Sequence, residues 1–106
     1  MSNKKSLYEV FQQEAPEVFD GFNALIKSLI DMKALDPKTK QLIYIGMKAA
    51  QGDDTAVIMH VPMAKQAGAS REEVKETILL TLSVCGLKGV GACLVKALEA
   101  YDNSTM

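Results

Sequence analysis

The fold is decided by one stretch: Leu35-Asp36-Pro37-Lys38-Thr39-Lys40-Gln41-Leu42-Ile43-Tyr44-Ile45-Gly46-Met47, then Gln51-Gly52-Asp53-Asp54, then His60, then Gly68-Ala69-Ser70-Arg71-Glu72-Glu73. Asp36 is suited to accept a hydrogen bond from a free N–H of the first helical turn, and Pro37 needs no N–H there. The helix they open is expected to reach about Ala50, with Leu42, Ile45, Gly46 and Ala49 on its buried side. Gln51-Gly52 ends it. Asp53 or Asp54 caps the next helix, whose apolar and small positions include Ala56, Val57, Met59, Ala64 and Ala67, and Gly68 stops that one. Ser70 and Glu73 form a capping box, hydroxyl and carboxylate each meeting the other's backbone N–H, so a third helix starts at Arg71.

Working outward, residues 5–14 place Leu7, Val10 and Phe11 at helical spacing, and Ala15-Pro16 marks the next start. A helix over about 16–32 then carries Val18 or Phe19, Phe22, Leu25, Ile26, Leu29 and Ile30 as one broad apolar stripe. Beyond Arg71, a helix to about Cys85 aligns Val74, Ile78, Leu82 and Cys85. The run Gly86-Leu87-Lys88-Gly89-Val90-Gly91 is expected to break it as a tight turn with close backbone approach. It follows a helix and lacks the dinucleotide-binding order of glycines, so it is not a nucleotide loop. A last helix to about Tyr101 shows Val90, Cys93 or Leu94, Ala97 and Leu98. Period-two strand patterns never prevail, and the expectation is one all-α domain, residues 1–106, of about six helices.

The chain has 106 residues and 11.5 kDa, within the range of one domain. Twelve Lys plus Arg against 13 Asp plus Glu give a net charge of -1, and Arg71 is the only arginine, which excludes an electrostatic footprint for nucleic acid. Apolar residues at 48% and charged residues at 24% are globular proportions. No secretory apolar region is apparent near the N-terminus and no run of about 18 apolar residues occurs, so the chain reads as cytoplasmic with no membrane partner. Cys85 and Cys93 are spaced for neither a C-x-x-C redox pair nor a zinc site, and both are expected as buried thiols. No metal and no cofactor is expected. The wide apolar stripes exceed what so short a chain buries alone and point to a homo-oligomer.

His60, the only histidine, is the side chain suited to acid or base work near neutrality. Pro62, inside the same helix, is expected to kink it or free a carbonyl beside His60. Met32, Met47, Met59 and Met63 are candidates for an adaptable apolar lining. Asp53, two turns or about 10.5 Å of helix rise from His60, reads as a cap and not as its direct partner.

Over about residues 16–101, with its specificity in 36–73, the chain resembles the carboxymuconolactone decarboxylase and alkylhydroperoxidase D-like family. The resemblance implies an all-helical protomer that assembles into trimers or hexamers. The peroxidases of that family carry a C-x-x-C pair at a helix start, a histidine four residues after the second cysteine, and a glutamate nineteen residues before that histidine. His60 matches the histidine, whereas the cysteine positions fall on Asp53 and Ala56 and the glutamate position on Gln41. A thiol peroxidase mechanism is therefore disfavoured, although Cys85 and Cys93 remain as thiols. The lactone decarboxylase branch does not need the cysteines. The reading that follows is a decarboxylase-type activity on a small lactone or keto acid, with His60 as catalytic residue and Gln41, Asp53, Ala56, Met59 and Met63 as substrate-binding candidates. Lys40, Lys48 or a lysine of a neighbouring subunit would hold a substrate carboxylate. A family member that has lost its chemistry and serves as an oligomeric binding or scaffold protein is the alternative.

Overall fold

The computed structural model describes residues 4–105, and every regular element among them is helical. The elements are α1 (Leu7–Glu14), α2 (Pro16–Asp31), α3 (Pro37–Ala50), α4 (Asp54–Gln66), α5 (Arg71–Leu80), α6 (Leu82–Cys85) and α7 (Leu87–Asn103). They form two compact units, one ending at Ala34 and one beginning at Leu35.

The first unit is the α1–α2 hairpin. Ser6 and Glu9 make a capping box at the start of α1, and Pro16 occupies the first turn of α2. Phe11 meets Phe19 edge to face at 5.2 Å between ring centroids and tilts against Phe22 at 6.2 Å. The rest of the α2 stripe is solvent-exposed: Leu25 is 54%, Leu29 49% and Ile30 66% accessible.

The second unit is built where local signals and packing agree. Asp36 accepts a hydrogen bond from the Thr39 N–H at 2.7 Å, Asp53 accepts from Ala56 N–H at 3.1 Å, and the Ser70–Glu73 box closes in both directions. Its core joins Ile45 and Ala49 of α3, Val57, Val61 and Ala64 of α4, Val74 and Ile78 of α5, and Cys93 and Ala97 of α7. Lys38 reaches Glu73 at 3.0 Å and ties the starts of α3 and α5 together. At the far end of α7, the Tyr101 hydroxyl donates to Ala69 O at 2.8 Å while Lys65 Nζ donates to the Tyr101 and Ser104 carbonyls.

The structure departs from the sequence expectation in several places. The helix expected over 71–85 is interrupted at Thr81, whose N–H and hydroxyl both turn back to the Ile78 carbonyl. The glycine run is not a loop either: only Gly86, at φ 62°, makes the break, and α7 already begins at Leu87. Gly89 is buried inside α7, where an added Cβ would stand 2.7 Å from the Ala49 carbonyl oxygen and 2.6 Å from Thr81 Oγ1. The close approach foreseen for the glycines thus serves helix packing. In α4, Met59 and Ala67 are exposed, and Val61 joins the expected Val57 and Ala64 in the core, because α4 is apolar on several sides and packing chooses among them. Leu82 is exposed, and Cys85 is only half-buried, unlike buried Cys93.

The Gly89 contact yields an expected result. Gly89→Ala should destabilise the fold by about 1–3 kcal/mol, because its new methyl meets a backbone oxygen that cannot swing aside. A urea midpoint unchanged from wild type would contradict the close approach.

Candidate functional site

Two antiparallel helices of the second unit position the chemistry-bearing side chains. Gln41, Tyr44 and Lys48 are three and seven residues apart on α3, so they share one face of that helix. His60 faces them from α4. Its Nδ1 lies 2.9 Å from Gln41 Oε1, and its ring lies over that of Tyr44 with centroids 4.0 Å apart and planes inclined by 31°. Lys48 Nζ stands 5.8 Å from the Tyr44 ring centroid and 3.6 Å from Asp53 Oδ2. The other Asp53 oxygen caps α4.

The amide oxygen of glutamine only accepts, so in this pairing the proton of the neutral imidazole sits on Nδ1 and Nε2 carries a lone pair. Partial burial, and next the positive charge of Lys48, push His60 below the ordinary imidazole range. Both effects disfavour the imidazolium, and Gln41 supplies no charge to oppose them. The site therefore offers a neutral base, oriented through its other nitrogen and stacked against an aromatic ring, with a cation nearby.

Among the residues proposed from sequence, Gln41 and His60 are in direct contact. Asp53 is a cap and an ion-pair partner of Lys48, and its carboxylate pairs with neither ring nitrogen. Ala56 precedes His60 by one turn and is half-buried. Met63 follows it by about one turn and is 46% accessible, and Met59 is 58% accessible. Met47 lines an open apolar concavity of about 440 Å³ between α3 and α5, with Leu42, Ile43, Thr77, Leu80 and Val84. That concavity is on the face of α3 opposite Gln41, Tyr44 and Lys48, so Met47 is not brought to His60. Helix α4 runs unbroken through Pro62. The carbonyl deprived of its helical donor by Pro62 belongs to Ile58, about 200° around the helix from His60, and does not open beside it.

Tyr44 was not singled out from the sequence, although its position three residues after Gln41 was a readable signal. Sequence leaves Lys48 as one of several lysines able to hold a carboxylate, and Arg71 is committed to Asp102 at 2.8 Å. The remaining thiols do not assemble a peroxidase site. Cys85 and Cys93 are both free, and burial foremost raises the Cys93 pKa, the reverse of what a peroxide-attacking thiolate requires. No group of three or more potential metal ligands occurs among the described residues. No helix among them is long and apolar enough to cross a membrane.

Comparison with known proteins agrees with this architecture. The model of the carboxymuconolactone decarboxylase family matches residues 16–100. A crystal structure from Burkholderia xenovorans, named for carboxymuconolactone decarboxylase, superposes with a TM-score of 0.84 at 25% identity, covering 93% of this chain and 77% of that one. A carboxymuconolactone decarboxylase family protein from Legionella pneumophila, crystallised in its apo form, gives a TM-score of 0.77 at 30% identity over 87% of this chain and 81% of its own. An uncharacterised protein of Methanocaldococcus jannaschii is 29% identical over 80 residues, which cover 74% of this chain and 77% of the relative.

Proposed function

The chain belongs to the carboxymuconolactone decarboxylase family, and from that premise we propose that it catalyses a decarboxylase-type reaction on a small lactone or keto acid, with His60 as the proton-transferring residue. The observation that carries the reading is the His60–Gln41 pair, in which Gln41 Oε1 accepts from Nδ1 and the Nε2 lone pair is left for base work, on a ring that feels the charge of Lys48. Neutral imidazole removes a proton from a carbon next to a conjugated carbonyl, and the electron pair moves into that carbonyl. The imidazolium returns the proton to a different carbon and shifts the double bond. A carboxylate left β to the carbonyl then departs as CO₂, its electron pair forming an enolate that a solvent proton converts to product. His60 begins and ends each turnover neutral.

The test is a panel of unsaturated lactone acids and keto acids assayed for CO₂ release and for exchange of the carbon-bound proton with deuterated water. Exchange or CO₂ release that depends on His60 supports the reading. Neither reaction across the panel would favour the non-catalytic binding protein, which the replacement of both family cysteine positions by Asp53 and Ala56 also accommodates.

We propose further that copies of the chain assemble, as the exposed apolar stripe of α2 and the open concavity beside α3 suggest. Light scattering on the purified protein should give a multiple of 11.5 kDa, with three or six copies expected. A strict monomer at micromolar concentration would refute it.

A further inference from the structure

Lys48 is a half-buried cation on the Gln41–Tyr44 face of α3. The described residues engage its ammonium group only through Asp53 Oδ2 at 3.6 Å, longer than a good charge-assisted hydrogen bond, and through the Tyr44 ring face at 5.8 Å. An ammonium has three donors, so a ligand's acceptors can take the place of solvent on those that Asp53 does not meet. Asp53 divides itself between this loose pairing and the cap of α4, so it steers Lys48 without saturating it. The imidazole and the Lys48 ammonium are linked through one ring: the Tyr44 centroid stands 4.0 Å from that of His60 and 5.8 Å from Nζ.

We propose that Lys48 is the anion anchor of this site: it binds a carboxylate of a small organic acid and so orients the acid's reacting carbon toward His60 Nε2, while Asp53 positions the lysine. The inference rests on the reading of His60 as the reacting base, and deepens it by assigning substrate recognition to one side chain. A chemical corollary follows. An ion pair with Lys48 stabilises a carboxylate where it is, which opposes its loss as CO₂. The group held by Lys48 is therefore retained through the reaction, and any group that departs lies away from the ammonium.

The sole histidine makes the test direct. The ring resonances of His60, followed by NMR at constant ionic strength, should shift saturably on titration with succinate and not with succinamide. Lys48→Met should weaken succinate binding about tenfold or more, and Lys48→Arg should bind within a few-fold of wild type. Lys48→Gln serves as a second neutral variant, and the dispersed spectrum of each variant reports that it is folded. Succinate binding unchanged in both neutral variants, or a wild-type protein that shows no saturable shift, overturns the proposal. For any substrate that is turned over, Lys48→Met should raise KM more than it lowers kcat. Lys48-dependent succinate binding without turnover of any substrate would defeat the proton-transfer reading and leave the anchor standing. Turnover with Lys48-independent binding would defeat the anchor alone.

Discussion

Replacing Gln41 by glutamate should raise the pKa of His60 from its depressed position to the ordinary imidazole range or beyond, and should carry the pH dependence of turnover with it. In the wild-type site, burial and the charge of Lys48 both act against the imidazolium. Gln41 meets Nδ1 at 2.9 Å with a neutral oxygen. Gln41→Glu keeps the acceptor in place and adds a negative charge in contact with the ring, which favours the cation. The expected wild-type profile rises through an acidic limb and is flat at neutral pH, because a base works in its neutral form. The variant's limb should move to higher pH. Stability should respond in the same sense. A histidine whose folded pKa lies below its unfolded value contributes fully above the unfolded pKa, and that contribution is lost as pH falls toward the folded one. The wild type should therefore lose stability through His60 below about pH 6.5, and Gln41→Glu should diminish or reverse that loss. NMR titration of the single histidine measures the shift itself. An unchanged His60 pKa in the variant would show that Gln41 does not govern the ring.

What could be read from the sequence and what could not divide along the range of the forces involved. Asp36, Pro16, Pro37 and the Ser70–Glu73 box act within a turn of their own positions, so the helix starts were legible. The break at Thr81 and the close packing beside it were not, because the contact there is made in three dimensions. Gly89 of α7 brings its backbone against Ala49 and Thr81, residues 40 and eight positions away, and only the packed structure reveals that approach. The burial of Val61 is hidden in the sequence for a related reason: α4 is apolar on several sides, and periodicity alone does not select the buried one. Within the site, the pairing of Gln41 with His60 was readable through the nineteen-residue family spacing. The Tyr44 stack and the path from Tyr44 to Lys48 depend on how α3 and α4 are rotated against each other, which no single helix encodes. The exposed α2 stripe has the opposite status, being plain in the sequence as an apolar surplus and still uncovered in its own unit.

Removing the imidazole is the more severe intervention. His60→Gln should lower kcat/KM for proton exchange or decarboxylation by about 10²–10⁴-fold, the usual worth of a positioned acid–base group. Glutamine retains hydrogen-bonding capacity toward Gln41 and approximates the size of the ring, but it has no basic nitrogen near neutrality. The loss should therefore fall mainly on kcat, since Lys48 still holds the substrate anion in the proposed arrangement. Fold stability is a separate question that the same variant answers: His60 is only half-buried and its polar contact among the described residues is with Gln41, so His60→Gln should unfold close to wild type. A variant that stays folded and binds succinate, followed by backbone amide resonances since the imidazole is gone, but exchanges no carbon-bound proton would isolate the missing function at Nε2. Full activity in a folded His60→Gln protein would remove the base from the mechanism and, with it, the reason for Gln41 to hold Nδ1. The distinction is sharp because no acidic side chain among the described residues acts on His60, whose ring feels burial and the charge of Lys48.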